Sequence, residues 1–251
     1  MTFAHAGMSH QHSLETLNLL YEYDDFMFSI RSVIDLGCGA GDDLTWWATR
    51  TTRDEAPMPL NIDCTGVDIN LRIPQKTAYP NIKYQLIDFE QTIQPYPKGY
   101  DILWCHDSFQ YATNPLQTLR NWYDIASPGG MLYICVPVTQ RIHHRQLDYH
   151  LQSGAYYHHT IVSLMYMLAA TGWDCKSGFF KQSLQDEWLH AAVYKSQHKL
   201  PDPKTVSWYQ LAELELLPET AELCINQYGY LKQQDLVLPW LDHSLTSMFL
   251  R

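Results

Sequence analysis

The sequence is short of basic residues: 17 Lys and Arg stand against 27 Asp and Glu, a formal net charge of −10. Affinity for a phosphate backbone is built from Lys and Arg, so a nucleic-acid partner held mainly by its phosphates is disfavoured. The densest basic stretch, Arg141 to Arg145, has His at two of its five positions. No apolar run approaches the ~18 residues that read as a membrane-spanning helix. Met1 to Leu20 carries polar and His residues where a signal peptide would carry an apolar segment, so a cytoplasmic protein without a membrane partner is expected. The six cysteines, Cys38, Cys64, Cys105, Cys135, Cys175 and Cys224, include no C-x-x-C pair. Most sit in apolar runs and read as reduced core thiols. Internal repeats and low-complexity segments are also absent.

What is present is an alternation of strand and helix patterns. Ser32 to Leu36 is a short apolar run broken by Gly37, after which Leu44, Trp47 and Ala48 recur at helical spacing. Cys64 to Val67, Ile82 to Leu86 and Asp101 to Cys105 read as the next strands, and helical spacing returns between Leu116 and Ile125. A Pro128-Gly129-Gly130 turn introduces a strand over Met131 to Val136, and His159 to Ala170 reads as a helix. Trp173 to Lys181 and Leu189 to Tyr194 are β-rich runs suited to antiparallel pairing. At the front, Met1 to His12 is expected to be mobile, with Ser13 capping a helix that carries Leu14, Leu17, Leu20 and Tyr21. Such alternation implies a mostly parallel sheet covered on both faces, with ligands beyond the carboxyl ends of its strands. Past Pro201-Asp202-Pro203 the pattern turns helical, as in Trp208 to Leu217. The expected division is therefore a main domain over 1–200, with 1–31 as a helical lid, and a helical extension over 201–251.

The most informative stretch is Asp35-Leu36-Gly37-Cys38-Gly39-Ala40-Gly41-Asp42, a strand end passing through three alternate glycines into a helix. Glycine lets the backbone turn sharply and approach a ligand, and a helix start offers free N–H groups. A dinucleotide fingerprint, G-x-G-x-x-G, would need a third glycine where Asp42 stands, and an acid there suits a pyrophosphate poorly. With Asp35, Asp42 and Asp43 around it, the loop suits a ligand carrying an ammonium or sulfonium charge. A plainer role for Asp42 and Asp43 is to stabilise the following helix through its dipole.

From this loop onward the chain resembles the class I S-adenosylmethionine-dependent methyltransferases. Gly66-Val67-Asp68-Ile69 is similar to the family's second strand and its terminal acid, Leu86-Ile87-Asp88-Phe89 to the third, Tyr100 to Asp107 to the fourth strand and its loop, and Ser127-Pro128-Gly129-Gly130 to the turn before the fifth. The resemblance implies a doubly wound, mostly parallel seven-stranded α/β sheet with an antiparallel last strand. It also implies S-adenosylmethionine as cofactor, held by Asp35, Gly37, Cys38, Gly39, Gly41, Asp68, Ile69, Asp88, Phe89, Cys105 and His106. In that scheme Asp68 accepts the ribose hydroxyls, Asp88 the adenine amino group, and Phe89 packs on the ring. One departure is Gln110-Tyr111, where many relatives have Glu-His, so no acid or base role carries over to that pair.

A donor with an activated methyl group leaves the protein mainly to align the reactants. An acceptor that carries a proton also needs a base, for which His is the usual choice near neutral pH. The catalytic candidates are His106, best placed after the fourth strand, together with His158 and His159. Neither His143-His144 nor His158-His159 chelates alone, because adjacent side chains diverge, so no metal site is expected. Tyr156 and Tyr157 are expected to cover the acceptor, and Tyr21, Tyr23 and Phe26 to form the lid, the latter by analogy of fold. Cys105, at the end of a buried strand, reads as packing rather than as a nucleophile. The leading reading is methyl transfer to a small molecule. The alternatives are methylation of a protein or RNA, aminopropyl transfer on the same fold, and a non-catalytic binding protein that meets a partner, or a second copy, through its C-terminal helices.

Overall fold

The computed structural model describes residues 3–23, 29–71, 79–137, 157, 159–182, 188–198 and 200–231. Helix α1 (Phe3–Tyr23) precedes β1 (Ser32–Leu36), α2 (Asp42–Ala48), β2 (Asp63–Asp68), β3 (Ile82–Leu86), β4 (Tyr100–His106), α3 (Pro115–Ile125) and β5 (Ala126–Pro137). Then come α4 (Ile161–Ala170), β6 (Trp173–Gln182), β7 (Trp188–Lys195), α5 (Trp208–Glu213) and α6 (Glu219–Tyr228). The strands form one seven-stranded sheet in the order β3-β2-β1-β4-β5-β7-β6. Neighbours among β1 to β5 pair parallel, while β7 runs antiparallel to both β5 and β6. This is the doubly wound sheet with an antiparallel last strand that the sequence implies. No helix among the described residues is long and apolar enough to cross a membrane.

The two faces of the sheet follow from strand periodicity, since successive side chains point to opposite sides. Along β4, Ile102 and Trp104 enter one apolar cluster with Val33, Tyr133 and Cys135, whereas Leu103 and Cys105 enter another with Ile34, Leu132 and Ile134. Helices α1 and α2 cover the first face through Leu17, Leu20, Leu44 and Trp47. On the second face, α3, α4 and the segment 206–225 contribute Leu119, Trp122, Leu164, Leu211, Leu217 and Ile225. The first part of the C-terminal segment thus joins the main core, and 232–251 lie outside the described residues. Local chemistry fixes the helix starts. Asn114 caps α3 by accepting from Gln117 N, with Pro115 at the first helical position, and Thr160 with Ser163 forms a capping box on α4.

Three expectations need correction. Helix α1 begins at Phe3, so Ser13 lies inside it rather than capping it; its hydroxyl donates to Asp43 of α2 instead. The Pro128-Gly129-Gly130 turn lies within β5 as a register break, because pairing passes from Tyr100↔Ala126 directly to Ile102↔Met131. Helix α4 starts at Ile161, two residues after His159. Leu17 of α1 is fully buried, so Leu17→Ala is expected to lower unfolding free energy by about 2–5 kcal/mol in urea denaturation. A loss under about 0.5 kcal/mol, the range of surface substitutions, would contradict the packing of α1 described here.

Candidate functional site

The carboxyl ends of β1, β2 and β4 converge on the glycine loop. Gly37 takes φ +91°, and a Cβ there would fall 2.2 Å from Ser108 Oγ, so only glycine lets the loop after β4 come this close. The Ser108 hydroxyl donates to Gly37 O at 3.3 Å and to His106 O at 3.2 Å, tying the two loops together. Gly39 differs: at φ +53° no atom of the described residues lies within 4 Å of the place a Cβ would occupy, so these residues leave open ground above it.

The loop's amides are largely turned inward, contrary to the free donors expected there. Gly37 N and Cys38 N both donate to Val67 O, Gly41 N to Cys38 O, and Gly39 N to Asp68 Oδ2 at 2.9 Å. Asp68 also accepts from Asn70 N through Oδ1 at 2.7 Å. A carboxylate offers about four lone-pair positions, so among the described residues two directions remain for hydroxyl donors from a ligand. Asp43 accepts from Ser13 and, at 2.8 Å, from Trp104 Nε1, which makes it a link between α1, α2 and β4.

Acidity concentrates here. Asp35 is buried, and its carboxyl is pushed well above the ordinary carboxylate range, first by burial and then by repulsion from Asp43, Asp68 and Asp42. The Cys38 thiol beside it is likewise pushed up by burial and by Asp35 and Asp68. A positively charged group over Gly39 would relieve this repulsion, so the residues present fit a cationic ligand and disfavour an anionic one.

The remaining candidates differ in exposure and packing. Ile69 is exposed at the end of β2. Asp88 accepts from Glu90 N at 2.9 Å. Phe89 lies edge-on to Trp122, 5.8 Å between centroids, and its ring is the next neighbour of Gly37 after Ser108. Cys105 is completely buried with its thiol pushed up by burial, so it is an inert packing group whose main chain alone can reach a ligand. His106 stands half-buried at the end of β4, its Nε2 3.0 Å from Nδ1 of His12. His159 is buried and stacks on Phe109 at 5.2 Å. His158, His143, His144, Tyr156 and Phe26 lie outside the described residues.

Tyr21 does not serve as a lid. Its hydroxyl donates to Thr51 O at 2.8 Å and its ring meets Trp46 edge-on, which places it at the far end of α2 from the glycine loop. Helix α1 instead brings His12 and Ser13 to the mouth. Sequence reasoning missed His12, Ser108, Cys135, Trp188 and His190, all of which line or buttress this region. Ser108 alone had a local signal, in the loop that follows β4.

The family model for a methyltransferase domain matches residues 29–198. Among curated proteins, the malonyl-[acyl-carrier protein] O-methyltransferase of Halalkalibacterium halodurans is 30% identical over 112 residues, 41% of this chain and 37% of that protein. The ubiquinone biosynthesis O-methyltransferase of Nitrosospira multiformis is 22% identical over 128 residues, 49% of each chain. The matches therefore span less than half the length of these relatives. Among solved structures, phosphoethanolamine N-methyltransferase 2 of Haemonchus contortus, in complex with S-adenosyl-L-methionine, superposes with a TM-score of 0.58 at 14% identity, covering 73% of this chain and 52% of that one. With the family match running from the start of β1 past the end of β7 and the sheet in the order β3-β2-β1-β4-β5-β7-β6, the chain belongs to the class I S-adenosylmethionine-dependent methyltransferases.

Proposed function

We propose that the chain transfers a methyl group from S-adenosylmethionine to a small-molecule acceptor, and that the acidic glycine loop is the donor's seat. The observation that carries this reading is the cluster of carboxylates beside the glycine loop: Asp43, Asp68 and Asp42 act on the buried Asp35, and Asp68 holds the Gly39 amide. The bound nucleoside supplies an activated methyl on a positively charged sulfur. Asp68 accepts the ribose hydroxyls through the two directions left by Gly39 N and Asn70 N, and Asp88 with Phe89 receives the base. Asp35 balances the positive end of the ligand, and Gly37, Cys38, Gly41, Ile69 and the Cys105 main chain shape the cleft. His106 faces the acceptor, where it takes a proton if the acceptor carries one. The small-molecule reading is supported by the net charge of −10, which offers little to a polyanionic substrate. The names of the two curated relatives favour an oxygen acceptor. Incubation with isotopically labelled donor and a fractionated extract, read by mass spectrometry, tests the assignment. Label is expected in the low-molecular-mass fraction; label appearing only in protein or RNA would overturn it.

Two further outcomes follow from the geometry. Asp68→Ala is expected to weaken donor binding by about 1.5–3 kcal/mol in titration calorimetry, the range for hydrogen bonds to a charged group; unchanged affinity would remove Asp68 from the site. The second concerns Asp35, whose folded-state pKa is raised, so the folded protein holds this proton more tightly than the unfolded chain does. Its contribution to stability accordingly falls as pH rises above 3.8, the ordinary carboxyl value, towards the raised one. A cation bound beside Asp35 favours its ionised form and lowers that pKa, so binding in mildly acidic buffer should release protons. Binding enthalpies measured in buffers of different ionisation enthalpy should diverge, and Asp35→Asn should make them converge; equal enthalpies in the unsubstituted protein would contradict the role given to Asp35.

A further inference from the structure

On the sheet face covered by α1, three residues with metal-binding side chains stand in one row across adjacent strands. His106 of β4 is the register partner of Cys135 of β5, and Cys135 is in turn the partner of His190 of β7. Directly opposite residues in a sheet share a face and lie close. Helix α1 lays His12 over the row: its ring is 5.3 Å from that of His106, 5.1 Å from that of His190, and stacked on Trp188 at 5.1 Å. The ligand atoms of His12, His106 and Cys135 all lie within 4.8 Å of one another, and the two His nitrogens are 3.0 Å apart. Trp104, Tyr133 and Trp188 wall the cluster, with Trp104 and Tyr133 stacked at 4.0 Å and His106 stacked in turn on Trp104.

We propose that His12, His106 and Cys135 form a three-ligand site for one borderline-soft divalent ion of the Zn2+ class. Two imidazoles and one thiolate select such an ion over Mg2+ or Ca2+, which require oxygen ligands, and three protein ligands leave one position of a tetrahedron for an outside atom. A second observation points the same way. His190 is buried, donates to or accepts from Tyr133 through Nδ1 at 2.8 Å, and has no partner at Nε2 among the described residues. Burial of such a nitrogen is costly unless something meets it, and a water on the metal's fourth position would do so. On metal binding the proton shared between His12 and His106 moves to the far nitrogen of its ring, and the Cys135 thiol gives its proton to solvent. The ion would pin α1 to the sheet beside the acceptor side of the cleft. It would also occupy His106, to which the proposed function assigns proton transfer, so a metal-loaded and a proton-accepting His106 are alternative states of the same residue.

The inference does not depend on methyl transfer and is tested without it. The full chain, stripped with a chelator and dialysed, is titrated with Co2+ as the spectroscopic probe and with Zn2+ for stoichiometry by elemental analysis. One equivalent per chain is expected, with a thiolate-to-cobalt charge-transfer band in the near ultraviolet. Cys135→Ser should abolish the band, His12→Gln should weaken binding about tenfold or more, and Cys64→Ser, at a buried thiol outside the cluster, should retain both. Circular dichroism and nucleoside titration on the same samples separate a lost metal site from a lost fold or a failed donor site. No saturable cobalt binding in the folded unsubstituted protein, or a band that survives in Cys135→Ser, would overturn the assignment.

Discussion

Burial of Asp35 of β1 close to the carboxylates of Asp68 at the end of β2 and of Asp43 and Asp42 at the start of α2 is the constraint on which the site depends. Asp35 is buried beside Asp43, Asp68 and Asp42, and burial makes each unit of negative charge harder to hold. The chain tolerates this because its other groups are satisfied locally. Asp68 is held by two backbone amides, and Asp43 by Ser13 and Trp104. Beside these acids, no atom of the described residues lies within 4 Å of the place a Gly39 Cβ would occupy. A neutral or anionic nucleotide gains little there, whereas a cationic one neutralises the excess.

The surrounding architecture serves to hold that arrangement. Parallel pairing of β1 with β2 and β4 brings three strand ends to the same edge, and the inward-facing amides of the glycine loop lock it to β2 through Val67 O and Asp68. Ser108 then closes the loop after β4 onto Gly37. On the opposite side of the mouth, α1 docks through Leu17 and Leu20 and delivers His12 to His106. The side of the glycine loop is thus acidic and polar, while the side of α1 is aromatic and rich in imidazole. This division suits a reaction in which the protein chiefly aligns two reactants.

Much of the fold was legible because strand and helix periods differ and the glycine loop breaks the first strand at a fixed place. All seven strands were readable from short apolar runs, and the order of acids after successive strands carried the family resemblance. The start of α1 is not legible locally: Ser13 looks like a cap in sequence, while its hydroxyl reaches Asp43 on another helix, a tertiary contact that no local rule encodes. The break at Pro128 to Gly130 looks in sequence like a turn before a strand, and only pairing with β4 reveals that the strand has already begun. The cluster of His12, His106, Cys135 and His190 was invisible for a simpler reason. Its members belong to one helix and three strands, and only the sheet register sets them in a row.

In the proposed complex the nucleoside sits over Gly39 with its ribose on Asp68 and its positive end toward Asp35. A crystal structure of the chain with S-adenosylmethionine tests this most directly. Ribose hydroxyls are expected within hydrogen-bond distance of the two Asp68 oxygens, with the Gly39 N–H still donating to Oδ2. A nucleoside bound elsewhere, or one bound at the loop with its ribose turned away from Asp68, would contradict it.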